Sequence, residues 1–258
     1  MHAYDGLLNV LYPPTCVLCR IKLPAPQPSG ENRSASPART DRSTLLCEPC
    51  LLAMPRSGPP TCSRCGVEVP GAFDAVIECL RCRTGPPVFD AARAPWQYAG
   101  PAQEAVRQFK YHRRWRVGRW LAEEMTTTAR AAFPLEDITV VLPIPRHWLK
   151  RRLSGMDPAD RLARVVAGSL LKPYQPRWLR RARWTTTQTH LSWRRRARNV
   201  QRAFAAHGRV LLGHTVLLVD DVLTSGATAN ACAAALKEAG ASKVFVLTAA
   251  RTPLNHDQ

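Results

Sequence analysis

Two kinds of residue in this 258-residue chain have the types and spacing that chemistry needs. The first is cysteine. Eight of the nine cysteines fall in Cys-x-x-Cys units: Cys16/Cys19, Cys47/Cys50, Cys62/Cys65 and Cys79/Cys82. Such a turn offers two thiolates from one tight knuckle, and a structural zinc ion takes four soft ligands in a tetrahedron. Four pairs therefore predict two zinc ions. Sequential pairing, first unit with second and third with fourth, is the expected arrangement, and crossed pairing satisfies the same spacing. With every position filled by cysteine, neither ion keeps an open place for catalysis. Gly66, directly after Cys65, suits a knuckle that needs positive φ. The competing readings are a disulfide scaffold, which belongs to an oxidising compartment, and a redox Cys-x-x-Cys. Cys232 stands outside the pattern and reads as a small core residue.

The second chemistry lies in residues 216–228, Val-Leu-Leu-Val-Asp-Asp-Val-Leu-Thr-Ser-Gly-Ala-Thr. Four apolar residues predict a buried strand that delivers Asp220 and Asp221 to its C-terminal edge. Thr224, Ser225, Gly226, Ala227 and Thr228 then open a helix. Backbone N–H groups at a helix start, joined by hydroxyls, cradle a phosphate, and glycine lets the backbone approach the anion. Ligands of open α/β sheets sit at such strand ends.

Charge adds a third feature. Lys and Arg number 37 against 19 Asp and Glu, a net charge of +18. Residues 1–94 hold ten basic and eight acidic side chains, whereas residues 95–258 hold 27 and 11, so the C-terminal part owns the field. A field of this sign attracts polyanions. Arginine and tryptophan interleave at residues 113–116, at Trp148 before Lys150–Arg152, at 178–184, and at Trp193 before Arg194. Cationic grooves with aromatic platforms bind single-stranded nucleic acid, each stacked base contributing about 1–3 kcal/mol.

The elements that must position these groups are α/β. Residues 102–130 predict helix with a break near Gly118, residues 138–144 a buried strand, and 158–171 a helix with Leu162, Val165, Val166 and Leu170 inward. Residues 216–219 predict a strand, 226–239 an Ala-rich helix with Gly240 at its C-terminal end, and 243–249 a further strand. This alternation predicts a largely parallel sheet. Residues 24–44 are polar and rich in Pro and Ser, which predicts a flexible insertion. No stretch reaches the ~18–20 apolar residues of a membrane span. The first residues show no basic region and residues 7–12 are too short for a signal core, so a cytoplasmic location is expected.

The 216–228 segment resembles the 5-phosphoribosyl 1-pyrophosphate (PRPP) signature of type I phosphoribosyltransferases. The cysteine units are followed by Lys110-Tyr111, Leu142-Pro143-Ile144-Pro145, Gln188-Thr189-His190-Leu191-Ser192, Arg196 and Asn199. In that order the chain resembles ComF competence proteins over nearly its whole length. The resemblance implies a zinc module over residues 1–88, carrying the 24–44 insertion, and a phosphoribosyltransferase-like domain over 89–258. It implies that Asp220 and Asp221 hold the ribose hydroxyls, directly or through Mg²⁺, as the catalytic pair, and that residues 224–228 hold the 5′-phosphate. The loop at 143–152, with Arg146, Lys150, Arg151 and Arg152, would face pyrophosphate. Residues 185–204, with Arg194, Arg195, Arg196 and Arg198, would form the closing hood. One departure is Gly155-Met156-Asp157-Pro158, where the family carries Gly-Phe-Asn-Gln. The implied function is PRPP binding and handling of single-stranded DNA during uptake, with a competence helicase as a further partner. The alternative is an active phosphoribosyltransferase of nucleotide metabolism.

Overall fold

The computed structural model describes residues 14–24, 45–71, 76–146, 157–181 and 203–253. Its centre is a five-stranded sheet in the order β1-β7-β6-β3, in which every pairing is parallel. The strands are β1 (Ala91–Arg93), β2 (Trp96–Gln97), β3 (Val140–Pro143), β6 (Thr215–Leu223) and β7 (Lys243–Arg251). β1 and β2 pair in succession with β7, at Phe245–Leu247 and at Ala250–Arg251. β4 (Leu179–Arg181) and β5 (Phe204–Ala206) form a separate antiparallel ribbon.

β6 and β7 are buried along almost their whole length, the signature of strands covered on both faces. The strand period of two assigns alternate residues to two cores. Val141, Leu217, Val219 and Leu247 pack toward α3 (Gly100–His112), α4 (Trp115–Ala132) and α5 (Pro158–Leu170). Val140, Leu142, Val216, Leu218 and Val246 pack toward α6 (Ala227–Glu238) and the β4–β5 ribbon. The expected α/β class with a parallel sheet is the observed one.

One expectation needs correction. The helical break lies at Arg113 and Arg114, with Arg113 left-handed at φ 53°, and not at Gly118. Gly118 sits inside α4, where a Cβ would collide with the Phe109 ring. The glycine brings α3 against α4 and does not end a helix. β6 also runs beyond its expected end, through both aspartates to Leu223. Among the described residues, no helix is long and apolar enough to cross a membrane. The 24–44 insertion lies outside the described residues, apart from Pro24.

Candidate phosphoribosyl site and metal centres

The eight paired cysteines converge as two groups, Cys16, Cys19, Cys47 and Cys50, and Cys62, Cys65, Cys79 and Cys82. Pairing is sequential. Within each group the sulfurs all lie within 4.8 Å of one another. Cys19 and Cys47 approach to 3.5 Å, and Cys65 and Cys79 to 3.7 Å. A zinc ion with four Zn–S bonds of about 2.3 Å requires sulfur–sulfur edges near ~3.8 Å, so both groups fit such an ion. Each is built in the same way. A first knuckle closes with Arg20 N–H on the Cys16 carbonyl (2.9 Å) or Gly66 N–H on the Cys62 carbonyl (2.9 Å). The second pair comes from a short helix whose N-cap is cysteine: Cys47 before α1 (Glu48–Leu52), Cys79 before α2 (Leu80–Thr84). Gly66 has the positive φ its position suggested, 66°, and Arg20 at the matching place has 64°. Cys62 Sγ accepts backbone N–H groups from Cys65 (3.5 Å) and Cys79 (3.4 Å), which suits a thiolate. Cys232 is fully buried on α6.

The acidic pair occupies the last stretch of β6. Because successive strand residues face opposite ways, Asp221 turns toward α3 and Asp220 toward α6. Lys110, in the last turn of α3, places Nζ 2.8 Å from Oδ2 and 3.0 Å from Oδ1 of Asp221. Burial is the largest single influence and works against the Lys110 ammonium, but the charge and hydrogen bond of Asp221, with the Asp220 charge behind them, together hold the lysine above its ordinary pKa. Asp220 accepts the Asp221 N–H at 2.8 Å. Its own carboxyl is pushed well above the usual range by burial first and by the Asp221 charge second. The same burial, with Asp220 nearby, raises the Cys232 thiol.

The loop that follows is shaped from behind by two arginines. Arg251, at the end of β7, donates to the carbonyls of Leu223 (2.9 Å), Thr224 and Cys65 (3.1 Å). Arg81, on α2 between two cysteines, donates to the Ser225 carbonyl. A trans peptide points its N–H away from its C=O. Holding the Thr224 and Ser225 carbonyls on the arginine side therefore turns the Ser225 and Gly226 N–H groups to the other side. Gly226, the N-cap of α6, has φ 77°. Ala227 N–H donates to Ser225 Oγ at 3.3 Å, while Thr224, Ser225 and Thr228 are exposed. Such amides and hydroxyls at a strand end have the chemistry to hold an anion.

Arg146 is half-buried just beyond β3. Arg151, Arg152, Arg195 and Arg196 lie outside the described residues, as do Lys150, Arg194, Arg198 and the Gln188–Ser192 motif. Lys110, Arg81 and Arg251 are site residues beyond those the sequence motifs mark. Lys110 had a signal, its place in the family's Lys-Tyr pair; the two arginines had none.

The Arg/Trp stretches divide. Trp178 packs edge-on to His214. Trp148, Trp184 and Trp193 lie outside the described residues. Trp115 is 41% exposed, with the Arg161 guanidinium 4.1 Å over its ring. Beside it a cleft of about 360 Å³ is lined by Pro14, Thr15, Leu45, Arg114 and Arg116.

With the cysteine groups, the aspartate pair and the loop in one arrangement, relatives can be set beside the chain. It is 32% identical over 214 residues to the DNA utilization protein YhgH of Salmonella typhi, covering 80% of this chain and 90% of that one. It is 26% identical over 197 residues to competence protein F of Haemophilus influenzae, covering 74% and 85%. The chain belongs to the ComF family. A shorter match, 31% over 140 residues, is to amidophosphoribosyltransferase of Saccharomyces cerevisiae, covering 54% of this chain and 24% of that enzyme. Among solved structures, the glutamine PRPP amidotransferase of B. subtilis complexed with ADP and GMP aligns at 24% identity, with a TM-score of 0.34. That alignment covers 49% of this chain and 24% of the enzyme. No protein-family model matches the chain.

Proposed function

We propose that this ComF-family protein binds PRPP with Mg²⁺ at the end of β6, carries two structural zinc ions, and handles single-stranded DNA on its basic face. The observation that carries the reading is the joint placement of Asp220, Asp221 and the outward amides of Ser225 and Gly226 around one strand end. The 5′-phosphate would sit against the 224–228 cradle and the ribose hydroxyls near the carboxylates. Mg²⁺ would enter with the diphosphate and neutralise it, a charge that Arg146 and the arginines at 151, 152, 195 and 196 would share. The cysteine-rich part is taken as residues 1–88 and the ribose-phosphate part as 89–258. Relatives named for DNA utilization and competence support the DNA reading, which extends to a cytoplasmic location and a competence helicase as partner. Trp115 with Arg114, Arg116 and Arg161 is the surface best suited to stack a base and hold its phosphates.

Calorimetric titration of PRPP with Mg²⁺ into the full-length protein tests the site; no detectable heat would retire it. The DNA surface is tested by fluorescence anisotropy with a labelled oligonucleotide. Arg114→Ala should reduce the slope of log affinity against log salt by about 1 if that side chain meets a phosphate. An unchanged slope moves the DNA elsewhere. The match to an amidophosphoribosyltransferase favours a second reading, transfer of the phosphoribosyl group to an amine or base. Pyrophosphate released in the presence of an acceptor would establish it.

A further inference from the structure

The acidic pair of a phosphoribosyl site has two ways of being neutralised, a divalent ion or a side chain. Here a side chain is already in place. Lys110 Nζ lies 2.8 and 3.0 Å from the two oxygens of Asp221, and the pair is shielded, with side-chain exposures of 22% and 10%. The position is held firmly. Phe109, the preceding residue, is 1% exposed and packs against Gly118 of α4, while α3 ends three residues after Lys110 in the left-handed Arg113. Mg²⁺ demands a near-octahedral oxygen shell at about 2.0–2.1 Å. Both Asp221 oxygens carry the ammonium instead, and Asp220 Oδ1 carries the Asp221 N–H. A divalent ion at this pair would have to displace Lys110, so the carboxylates as arranged do not suit a metal between them.

We propose that Lys110 is the built-in cation of the ribose site, replacing a divalent ion at Asp221 and making recognition of the ribose-phosphate part of the ligand independent of Mg²⁺. The inference rests on the ribose-phosphate reading of the β6 strand end. An ammonium has three N–H donors. With two directed at Asp221, the third is left for a ribose hydroxyl or a phosphate oxygen. Metal then matters for the diphosphate alone, and ribose 5-phosphate, which has none, separates the two roles.

The test is calorimetric titration of ribose 5-phosphate into the full-length protein, with millimolar Mg²⁺ and in Mg²⁺-free buffer. No chelator is used, since chelation would attack the thiolate centres. Wild type should bind equally in both. Lys110→Met should lose roughly tenfold in affinity without Mg²⁺ and recover on its addition, because Asp221 is then open to the ion. Lys110→Arg should stay Mg²⁺-independent, and Lys110→Met with Asp221→Asn should bind weakly and ignore Mg²⁺. A wild-type affinity that rises roughly tenfold with Mg²⁺, or a Lys110→Met protein that binds like wild type, overturns the proposal; the wild-type comparison decides it even if the variants fail to fold. A wild type that binds neither ribose 5-phosphate nor PRPP overturns the ribose-phosphate reading itself. PRPP binding with a strict Mg²⁺ requirement for ribose 5-phosphate removes only the role of Lys110.

Discussion

The two cysteine groups share one construction and serve opposite faces of the sheet. The first belongs with the core beneath α3, α4 and α5: Cys16, Leu23, Leu45 and Leu46 are buried there, while Cys19 is exposed. The second belongs with the core beneath α6, and all four of its cysteines are buried. It is also tied to the 224–228 loop and to β1. Arg81 holds the Ser225 carbonyl from within the knuckle helix, Arg251 spans the Cys65, Leu223 and Thr224 carbonyls, and Ala92 N–H donates to the Arg64 carbonyl at 2.6 Å. The same motif is thus a staple on one face and part of the foundation of the 224–228 loop on the other.

The sharpest way to break that contrast is to remove one ligand from each group. Cys62→Ser should lose one zinc equivalent, destabilise the protein by about 4 kcal/mol or more and abolish PRPP binding. Cys19→Ser should lose one equivalent while PRPP affinity stays near wild type. Metal content and calorimetry on both variants decide this; equal loss of PRPP binding would erase the distinction. Next in size is Arg251→Met, which strips donors from three carbonyls of the loop and second knuckle. A cost of about 3 kcal/mol in urea unfolding is expected, with weaker PRPP binding.

The matched positive-φ positions give a smaller comparison. At Gly66 an alanine Cβ would meet the Ala92 carbonyl, so Gly66→Ala should cost about 2–3 kcal/mol. At Arg20, φ 64° already strains a side-chain residue, so Arg20→Gly should stabilise by about 1 kcal/mol. Thermal melts of both test this, and opposite signs are expected.

The smallest effect concerns pH. Asp220 has a raised pKa in the folded chain, so the native state holds its proton more tightly than the unfolded state does. The linked stability is fully present below the ordinary carboxylate pKa and is lost as pH rises through the folded value. Asp220→Asn should therefore raise Tm by about 2 °C near pH 7, lose that advantage at acid pH, and weaken PRPP binding. A lower Tm at pH 7 would show that burial of the Asp220 charge does not cost the fold stability.

Much of the fold was legible because local signals agree. β-branched and apolar runs at 140–143, 216–219 and 244–249 have no solvent face to alternate toward, so they read as covered parallel strands. The break between α3 and α4 is not legible at Gly118, because glycine marks either a helix end or a close approach, and only the partner, Phe109, distinguishes them. Arg81, Arg251 and Lys110 were hidden for a related reason. Each acts on a residue more than 25 positions away, and nothing local separates such a side chain from a solvated one.

What the residues determined by themselves was chemistry that lies within a few positions. Thiol pairs come two to a knuckle, and an apolar run, two carboxylates and a hydroxyl–glycine loop stand in register along one strand end, because ligand geometry there is set by backbone spacing. What the tertiary structure decided was the state in which that chemistry is held. It chose sequential over crossed pairing of the knuckles, set the second cysteine group behind the 224–228 loop, sent the two aspartates to opposite faces, and brought an ammonium from α3 onto one of them. Those outcomes depend on packing between segments far apart in the chain, where burial and charge are properties of the assembled core and not of any local run of residues.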